Sequence, residues 1–246
     1  MSFDGQRVVI IGASAGIGEA AAKAFAAQGA AVTITGRSKE RLDQAAQRIG
    51  HPVLAAEVDA TSRVALDAFF ATAGTVDHLV LSASPGAVGV GPFATLDEAA
   101  LRQAFDGKFF AHVKAIQAAL PRLRRDGSVT LVTATSARTA VAGTAGLAAA
   151  NGALETMVGP LAVELAPLRV NAVSPGVIDT HWWSGLPEDQ RRAYFESVAA
   201  VTPVRRVGQP DDVAEAVVYL AGAGFVTGTV LECTGGFNLT AAALAG

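Results

Sequence analysis

Residues 8–18, VVIIGASAGIG, are the stretch that decides the fold. Its two valines and two isoleucines suit a short strand that is buried on both faces of a sheet. Gly12, Gly16 and Gly18 follow among small residues, and the alanine-rich residues 19–28 predict a helix. A strand, a glycine turn and a helix N-terminus bring free backbone N–H groups and a helix dipole together. The stretch therefore predicts an anion site suited to a pyrophosphate, and the alternative is an ordinary strand-to-helix turn.

Size and composition limit the class of protein. The chain has 246 residues, 51% of them hydrophobic, and a net charge of −3, so it can bury a large core without disulfide or metal support. Cys233 stands alone, which excludes an internal disulfide and is typical of a reducing cytosol. The negative charge argues against a general nucleic-acid-binding protein. Apolar runs fall short of the roughly 20 residues of a membrane span, and the start MSFDGQR lacks the features of a secretory signal. We therefore expect a cytoplasmic protein that binds neither nucleic acid nor membrane and carries no metal.

Strands and helices alternate along the chain. Further strands are predicted at 31–35, 53–57, 77–81 and 129–132, and helices at 39–48, 63–71, 146–157, 188–198 and 213–220. A helix starting with the capping-box pattern of residues 95–98 (TLDE) is also predicted. This alternation predicts an α/β fold with a doubly wound parallel sheet and helices on both faces. Because composition marks no linker, residues 1–246 are predicted to form one domain.

The end of the second predicted strand bears on cofactor choice. In dinucleotide folds the residue there meets the adenosine ribose, and an acidic side chain binds the 2′-hydroxyl of NAD. This chain has Gly36, Arg37 and Ser38 instead. A guanidinium suits the 2′-phosphate of NADP. The sequence therefore favours NADP(H) over NAD(H), unless Arg37 is only a solvated charge at the start of helix 39–48.

The GxxxGxG spacing of residues 12–18 resembles the cofactor loop of the short-chain dehydrogenases/reductases. These are single-domain Rossmann oxidoreductases that depend on NAD(P), and the resemblance runs from about Gln6 to Gly236. It implies an oxidoreductase that acts on a carbonyl or alcohol group of a small molecule. With the ribose contacts above, it implies that the cofactor is bound by Gly12, Ser14, Gly16, Ile17, Gly18, Arg37, Ser38, Asp59, Ala83, Asn151, Pro175, Gly176, Ile178 and Thr180.

Three of these assignments rest on matches to other family segments. An aspartate at the position of Asp59 binds the adenine amino group in the family, although a helix N-cap near residues 61–62 is the alternative. Members of the family usually carry the sequence Asn-Asn-Ala-Gly after the fourth strand. Of residues 81–84 (LSAS) of this chain, only Ala83 matches that motif. Residues 175–180, PGVIDT, resemble the segment that binds the nicotinamide carboxamide.

The chain departs from the family where the catalytic residues should be. Residues 146–157, GLAAANGALETM, match the family helix with Leu147 at the tyrosine position and Asn151 at the lysine position. Ala134 falls at the serine position, beside Thr133, Thr135 and Ser136. In the family the tyrosine donates a proton to the carbonyl oxygen, and the lysine lowers the tyrosine pKa. Leucine has no proton to donate and asparagine has no charge, so the usual acid is absent.

Lys108 falls where the family carries a catalytic asparagine, as if asparagine and lysine had exchanged places. We hypothesise that Lys108 restores a cation under the nicotinamide and donates the proton, with its pKa lowered by burial. Thr135 or Ser136 would then orient the substrate carbonyl, with Asn151 completing the cluster. The alternative is a Lys108 that faces solvent or pairs with a carboxylate. The helical spacing places the core on another face, formed by Phe105, Phe109, Val113, Ile116 and Leu120.

The segment 181–206 matches the substrate lid of the family. Trp182 and Trp183 indicate an apolar or aromatic substrate pocket, although one of them could simply pack on the body. His112 is more typical of a core histidine than of a proton relay, and His181 is a further donor candidate. The family often pairs its closing strand and the neighbouring helix across a two-fold axis, which implies a homodimer or homotetramer.

Two functions therefore fit the sequence. The first is an NADP(H)-dependent oxidoreductase with an atypical donor set. The second is a catalytically inactive NADP(H)-binding protein that acts as a sensor or as the oligomer partner of an active relative. A lyase or dehalogenase that reuses the fold without hydride transfer is a third class, and the intact glycine loop and the 175–180 segment count against it.

Overall fold

A seven-stranded parallel sheet forms the centre of the computed structural model, which describes residues 2–245. The strand order is β3-β2-β1-β4-β5-β6-β7, so the chain winds outward in both directions from β1. This confirms the predicted doubly wound α/β fold. The strands are β1 Arg7–Ile11, β2 Ala31–Gly36, β3 Val53–Glu57, β4 Val76–Leu81, β5 Leu123–Val132, β6 Arg169–Pro175 and β7 Val230–Cys233.

Helices cover both faces of this sheet. They are α1 Gly16–Ala26, α2 Lys39–Ile49, α3 Arg63–Thr72, α4 Glu98–Ala104, α5 Ala111–Ala119, α6 Ala145–Glu164, α7 Glu188–Val201, α8 Pro210–Gly222 and α9 Phe237–Thr240. A π-helical turn, Phe105–Phe110, joins α4 to α5, and short 3₁₀ turns occupy Phe93–Thr95, Thr135–Ala137, His181–Trp183 and Ala241–Ala245. None of the helices within residues 2–245 is long and apolar enough to cross a bilayer.

The core has two layers, one on each side of the sheet. Successive side chains of a strand point to opposite faces, so Val8 and Ile10 pack with α1, α2 and α8, whereas Val9 and Ile11 pack with α3, α5 and α6. These four residues are each at most 3% exposed. The first predicted strand is therefore buried on both faces, as its apolar run indicated.

One sequence prediction about α4 is wrong, and one about α5 holds only in part. Helix α4 is not started by a capping box at Thr95, because Asp97 is the N-cap and accepts a hydrogen bond from the Ala99 N–H at 3.2 Å. On the predicted core face of α5, Ile116 is buried and Phe109 packs against the core, but Leu120 is 37% exposed, and His112, Ala115 and Ala119 of the other face are buried as well. Leu120 is exposed because it is the C-cap at the end of α5, whereas the helix itself is buried on more than one face.

Candidate active site

The glycine loop follows β1 at the point where the order of strands reverses. A Cβ added at Gly12 would lie 2.6 Å from the Ala83 Cα, and one at Gly18 would overlap the carbonyl oxygen of Gly12. Gly16 has a φ of +60°. The absence of side chains at Gly12 and Gly18 therefore lets the loop after β4 and the start of α1 lie against the loop backbone.

Helix α1 begins at this loop without a side-chain cap. Its N-cap is Ala15, and no side chain of the described residues accepts a hydrogen bond from the first turn there. The N–H groups of that turn, which includes Ile17, are therefore free to bind an anion, and the helix dipole adds to the attraction. This uncapped N-terminus and the close-packed glycines fit the pyrophosphate of a dinucleotide.

Residues that follow the other strands meet the glycine loop at the same edge of the sheet. A Cβ added at Gly16 would lie 3.4 Å from the Thr180 side chain, and Gly176 lies against the backbone of Thr234. A cleft of about 650 Å³ opens between Ser14 and Gly16 on one side and Thr180 on the other. The structure thus brings the predicted residues 12–18, Ala83 and the segment 175–180, with Pro175 and Ile178, to one place.

Arg37 and Asp59 lie at the ends of β2 and β3, beyond the glycine loop. Arg37 is exposed, and the Ser38 hydroxyl accepts a hydrogen bond from the Arg41 N–H at 3.3 Å as the N-cap of α2. Burial opposes ionisation of Asp59, but hydrogen bonds from Thr61 and the nearby charges of Arg37 and Lys114 lower the pKa of its carboxyl group. A cation and an anion therefore stand near each other where the adenosine end of a dinucleotide would lie.

The predicted helix N-cap near residues 61–62 is present, at Ser62. Asp59 Oδ1 accepts hydrogen bonds from the Thr61 N–H at 2.9 Å and the Thr61 hydroxyl at 2.8 Å. The N-cap of α3 is Ser62, which accepts from the Ala65 N–H at 3.2 Å. Asp59 therefore shapes the turn before α3 and does not cap the helix.

Lys108 points into the protein from the π-helical turn. Its Nζ donates a hydrogen bond to the carbonyl oxygen of Val132, at the end of β5, over 2.8 Å. Burial lowers the pKa of the ammonium to about 8. None of the carboxylates in the described chain forms an ion pair with it. The alternative in which Lys108 faces solvent or pairs with a carboxylate is therefore wrong.

His112 lies one turn after Lys108 and is fully buried. Its Nε2 donates to the carbonyl oxygen of Ala83 at 3.0 Å, which requires the Nε2–H tautomer. Burial, followed by the charge of Lys108, lowers the pKa of His112 to about 3, so the ring is neutral at physiological pH. His112 is thus a core histidine that ties α5 to the loop after β4.

Asn151 lies on α6 beside Ser136. Its Nδ2 donates to the Leu147 carbonyl oxygen at 3.0 Å and to the Ser136 hydroxyl at 3.3 Å. Its Oδ1 is buried and finds no hydrogen-bond partner in residues 2–245. Helix α6 packs against both the π-helical turn of Lys108 and the 3₁₀ turn of Ser136. Asn151 thus keeps an unpartnered buried acceptor while its amide bonds the Ser136 hydroxyl, an arrangement that suits a bound polar group.

Thr135 and Ser136 are not equivalent. Thr135 is buried, and its hydroxyl forms a 2.7 Å hydrogen bond with the hydroxyl of Thr139. Ser136 is half-buried and lies beside Asn151. Of the two predicted carbonyl-orienting residues, Ser136 is therefore the one that shares a cluster with Asn151.

The sequence analysis missed Glu155, a buried carboxylate two helical turns beyond Leu147 on α6. It accepts hydrogen bonds from the Thr133 hydroxyl at 2.8 Å and from Arg138 Nε at 2.7 Å. One signal could have revealed it: an acidic residue four positions after Asn151 in an otherwise apolar stretch lies on the same helix face.

The predicted lid contains an aromatic cluster. The rings of Trp182 and Trp183 are 4.6 Å apart, and the Trp183 ring lies 5.0 Å from that of Tyr194 and 5.7 Å from that of Phe195. Trp183 Nε1 donates to the Ile178 carbonyl oxygen at 2.9 Å. Trp183 thus packs on the body of the protein, beside the segment 175–180, while His181 contacts the hydroxyl of Ser184 at 3.5 Å.

Comparison with known proteins reveals similar sequences and a similar fold. The family model described as enoyl-(acyl carrier protein) reductase matches residues 12–238. A short-chain dehydrogenase/reductase of Stachybotrys chlorohalonatus is 32% identical over 252 residues, which cover 94% of this chain and 96% of that protein. A cis-4-hydroxycyclohexanecarboxylate dehydrogenase of Sinomonas cyclohexanicum is 34% identical, with 96% and 98% covered. A small-chain dehydrogenase solved in complex with NADPH superposes with a TM-score of 0.83 at 30% identity, over 96% of this chain and 100% of that one. The chain therefore belongs to the short-chain dehydrogenase/reductase family.

Proposed function

We propose that this protein is an NADP(H)-dependent oxidoreductase that acts on a carbonyl or alcohol group with an atypical active site. The observation that carries the proposal is the enclosed ammonium of Lys108, held at the end of β5 on the Val132 carbonyl oxygen. It stands in a family site where Leu147 and Asn151 occupy the positions of the usual tyrosine and lysine. Lys108 is then the group that can exchange a proton at the pH of the cell.

Different residues of the chain would bind different parts of the cofactor. The free N–H groups of the first turn of α1 would hold the pyrophosphate, Arg37 would bind the 2′-phosphate and Asp59 would meet the adenine. The segment 175–180 would hold the nicotinamide, which would supply or accept the hydride. The preference for NADP(H) over NAD(H) rests on the exposed cation at Arg37, and the NADPH-bound structure that this chain resembles supports it.

Lys108 performs the proton transfer in this proposal. Its Nζ, charged below its pKa of about 8, donates a proton to the substrate carbonyl oxygen as negative charge develops there. Ser136 orients that oxygen, and the Asn151 amide holds the Ser136 hydroxyl. In the reverse direction the neutral amine accepts the proton of the alcohol. The Val132 carbonyl keeps Nζ in place through both protonation states.

The surroundings of the site suggest the substrate and the assembly. Trp182 and the aromatic cluster around Trp183 favour an apolar or aromatic small molecule, in line with the ring-bearing substrate in the name of the Sinomonas relative. The exposed Phe225, just before β7, favours pairing of that sheet edge with a second copy in a homodimer or homotetramer. We expect this assembly in the cytoplasm.

A second candidate is the catalytically inactive NADP(H)-binding protein. It is favoured by Leu147, a side chain that carries no proton, and by the commitment of the Asn151 amide to Leu147 and Ser136. In that case the cofactor site serves sensing or partner assembly.

Calorimetric titration with NADPH and NADH, followed by turnover assays on a panel of aromatic and alicyclic carbonyls, separates the two. Lys108→Met should lower kcat by about a hundredfold or more while the Kd for NADPH changes by less than about threefold. The control for kcat is Lys114→Met, which removes a half-buried lysine bonded to the Thr61 carbonyl oxygen at 2.8 Å and should leave kcat unchanged. Tight NADPH binding without turnover across the panel would favour the inactive protein, and binding of neither nucleotide would refute both candidates.

A further inference from the structure

The carboxylate of Glu155 joins α6 to the segment that carries Ser136. Its side chain is 6% exposed, and each of its oxygens accepts one hydrogen bond. Oε1 accepts from the Thr133 hydroxyl at 2.8 Å, and Oε2 accepts from Arg138 Nε at 2.7 Å. Thr133 and Arg138 flank the 3₁₀ turn Thr135–Ala137 on its two sides. One carboxylate therefore holds both ends of the turn.

A third contact lies one helical turn earlier on the same face of α6. Asn151 donates to the Ser136 hydroxyl at 3.3 Å, at the middle of the turn that Glu155 holds at its ends. Within the turn, the Thr135 and Thr139 hydroxyls bond to each other at 2.7 Å. The loop is thus hydrogen-bonded to a single face of α6 at three points, although Thr133 is also held by β6, since its N–H and its hydroxyl donate to the Val173 carbonyl oxygen at 2.9 and 3.1 Å.

Core stability alone does not explain this arrangement. A buried carboxylate is costly to desolvate, and apolar replacements of buried ion pairs are often neutral or stabilising. The two partners of the ion pair also differ in exposure, since the Arg138 side chain is 48% exposed while that of Glu155 is buried. Unlike an apolar side chain, the carboxylate fixes the orientation of the loop, because residues at the two ends of the loop must each donate a hydrogen bond to one of its two oxygens.

We propose that Glu155 is a positioning residue for the active site, which holds the segment 133–138 so that Ser136 lies beside Asn151. The inference rests on the proposed function for its consequence, which is that substrate orientation depends on Glu155. The first part of the proposal, that Glu155 holds the segment 133–138, concerns the protein without substrate and does not depend on the proposed function.

Amide hydrogen exchange tests this first part without any turnover. Glu155→Gln keeps the size of the side chain but presents an N–H to Arg138 when its oxygen remains on Thr133. We expect exchange of residues 134–138 to accelerate by about tenfold or more, with residues 129–132 of β5 unchanged. Glu164→Gln, an exposed glutamate on the same helix, is the matched control and should leave both segments as they are. A uniform acceleration, or none, would overturn the proposal.

Steady-state kinetics test the consequence. In Glu155→Gln, kcat should fall by about tenfold or more while the Kd for NADPH stays within about threefold. In a double-mutant cycle, adding Arg138→Met to Glu155→Gln should cost less than the sum of the single effects. A parallel loss of NADPH binding and kcat would instead indicate general damage to the fold. If the wild-type protein turns over no substrate, the proposed function fails, and the exchange experiment still decides the role of Glu155.

Discussion

Lys108 Nζ lies 2.8 Å from the carbonyl oxygen of Val132, so a buried ammonium stands at the carboxyl end of β5. This relationship joins two elements that are distant in sequence, the π-helical turn and a central strand. In the proposed function it supplies an ionisable group to a site where Leu147 and Asn151 are predicted at the family's tyrosine and lysine positions.

The rate of reduction should depend on the protonation of Lys108. Because burial lowers its pKa to about 8, the donating ammonium predominates below that pH and is lost above it. We expect kcat for carbonyl reduction to fall as the pH rises through about 8, and kcat for alcohol oxidation to rise over the same range. Profiles from pH 6 to 10 at saturating cofactor measure this. A pH-independent reduction rate would contradict the assignment.

Gly18→Ala should damage both cofactor binding and stability. The added Cβ overlaps the Gly12 carbonyl oxygen, so the start of α1 must move away from β1. We expect the unfolding free energy to fall by about 2 kcal/mol or more and the affinity for NADPH to fall by at least about tenfold. Urea denaturation and calorimetry measure the two effects.

Gly152→Ala is the control for that change. An added Cβ at Gly152, on α6, meets no atom of residues 2–245 within 4 Å. Alanine is the better helix former, so the unfolding free energy should rise by about 0.5–1 kcal/mol. An equal loss of stability in both variants would show that the close packing at Gly18 is not the cause.

Arg37→Ala should weaken NADPH binding selectively. The guanidinium follows β2, where a 2′-phosphate would lie, and its loss removes a charge-assisted contact. We expect the Kd for NADPH to rise by about tenfold to a hundredfold and the Kd for NADH to stay within about threefold. Arg63→Ala, which removes an exposed arginine paired with Asp67, provides the control. Equal losses for both nucleotides would contradict the predicted role.

Two buried histidines should make the protein less stable in acid. Burial, followed by the charge of Arg169, lowers the pKa of His78 to about 4, and the pKa of His112 is lowered to about 3. In the unfolded chain both titrate near 6.5, so the unfolded state binds more protons below that pH. Stability should therefore decline as the pH falls from about 7 to 5, by about 2 kcal/mol per histidine.

Urea denaturation at pH 7 and pH 5 measures this decline. His78 contacts the Ser128 hydroxyl at 2.8 Å and Gln6 Oε1 at 2.6 Å, so His78→Gln keeps a polar group there while removing the titration. That variant should lose about half of the pH dependence. The exposed His51 is the control, and His51→Gln should leave the slope unchanged.

Arg169 should be a large contributor to stability at the end of α8. Its guanidinium donates to the carbonyl oxygens of Leu220, Ala221 and Ala223, which the helix itself leaves free. Arg169→Met removes these donors, and we expect a loss of about 2–4 kcal/mol in the free energy of unfolding. Arg192→Met, an exposed arginine on α7, should change it by less than about 0.5 kcal/mol.

The sequence could predict the fold because its signals are local. The apolar run of β1, the glycines after it and the regular alternation of strands and helices each depend on neighbouring residues. The approximate place of the cofactor site follows from the same pattern, since the carboxyl ends of parallel strands meet at one edge. Val53–Glu57 was predicted with its exact bounds for this reason.

The interior of the site depends on contacts that no local pattern contains. Leu120 lies on the same face as the buried Ile116 but stands at the C-cap of α5, and residue spacing does not reveal that it is exposed there. The same spacing left Lys108 open between solvent and interior. Glu155 acquires its role from Thr133 and Arg138, which are 22 and 17 residues away in the chain.

The sequence by itself therefore determined the doubly wound sheet and the glycine loop, and it predicts leucine and asparagine at the family's tyrosine and lysine positions. Only the tertiary structure decided that the ammonium of Lys108 is enclosed and that Glu155 fastens the loop of Ser136. The physical reason is that burial and hydrogen-bond partners are set by the packing of distant elements, whereas strand, turn and helix preferences are set within a few residues.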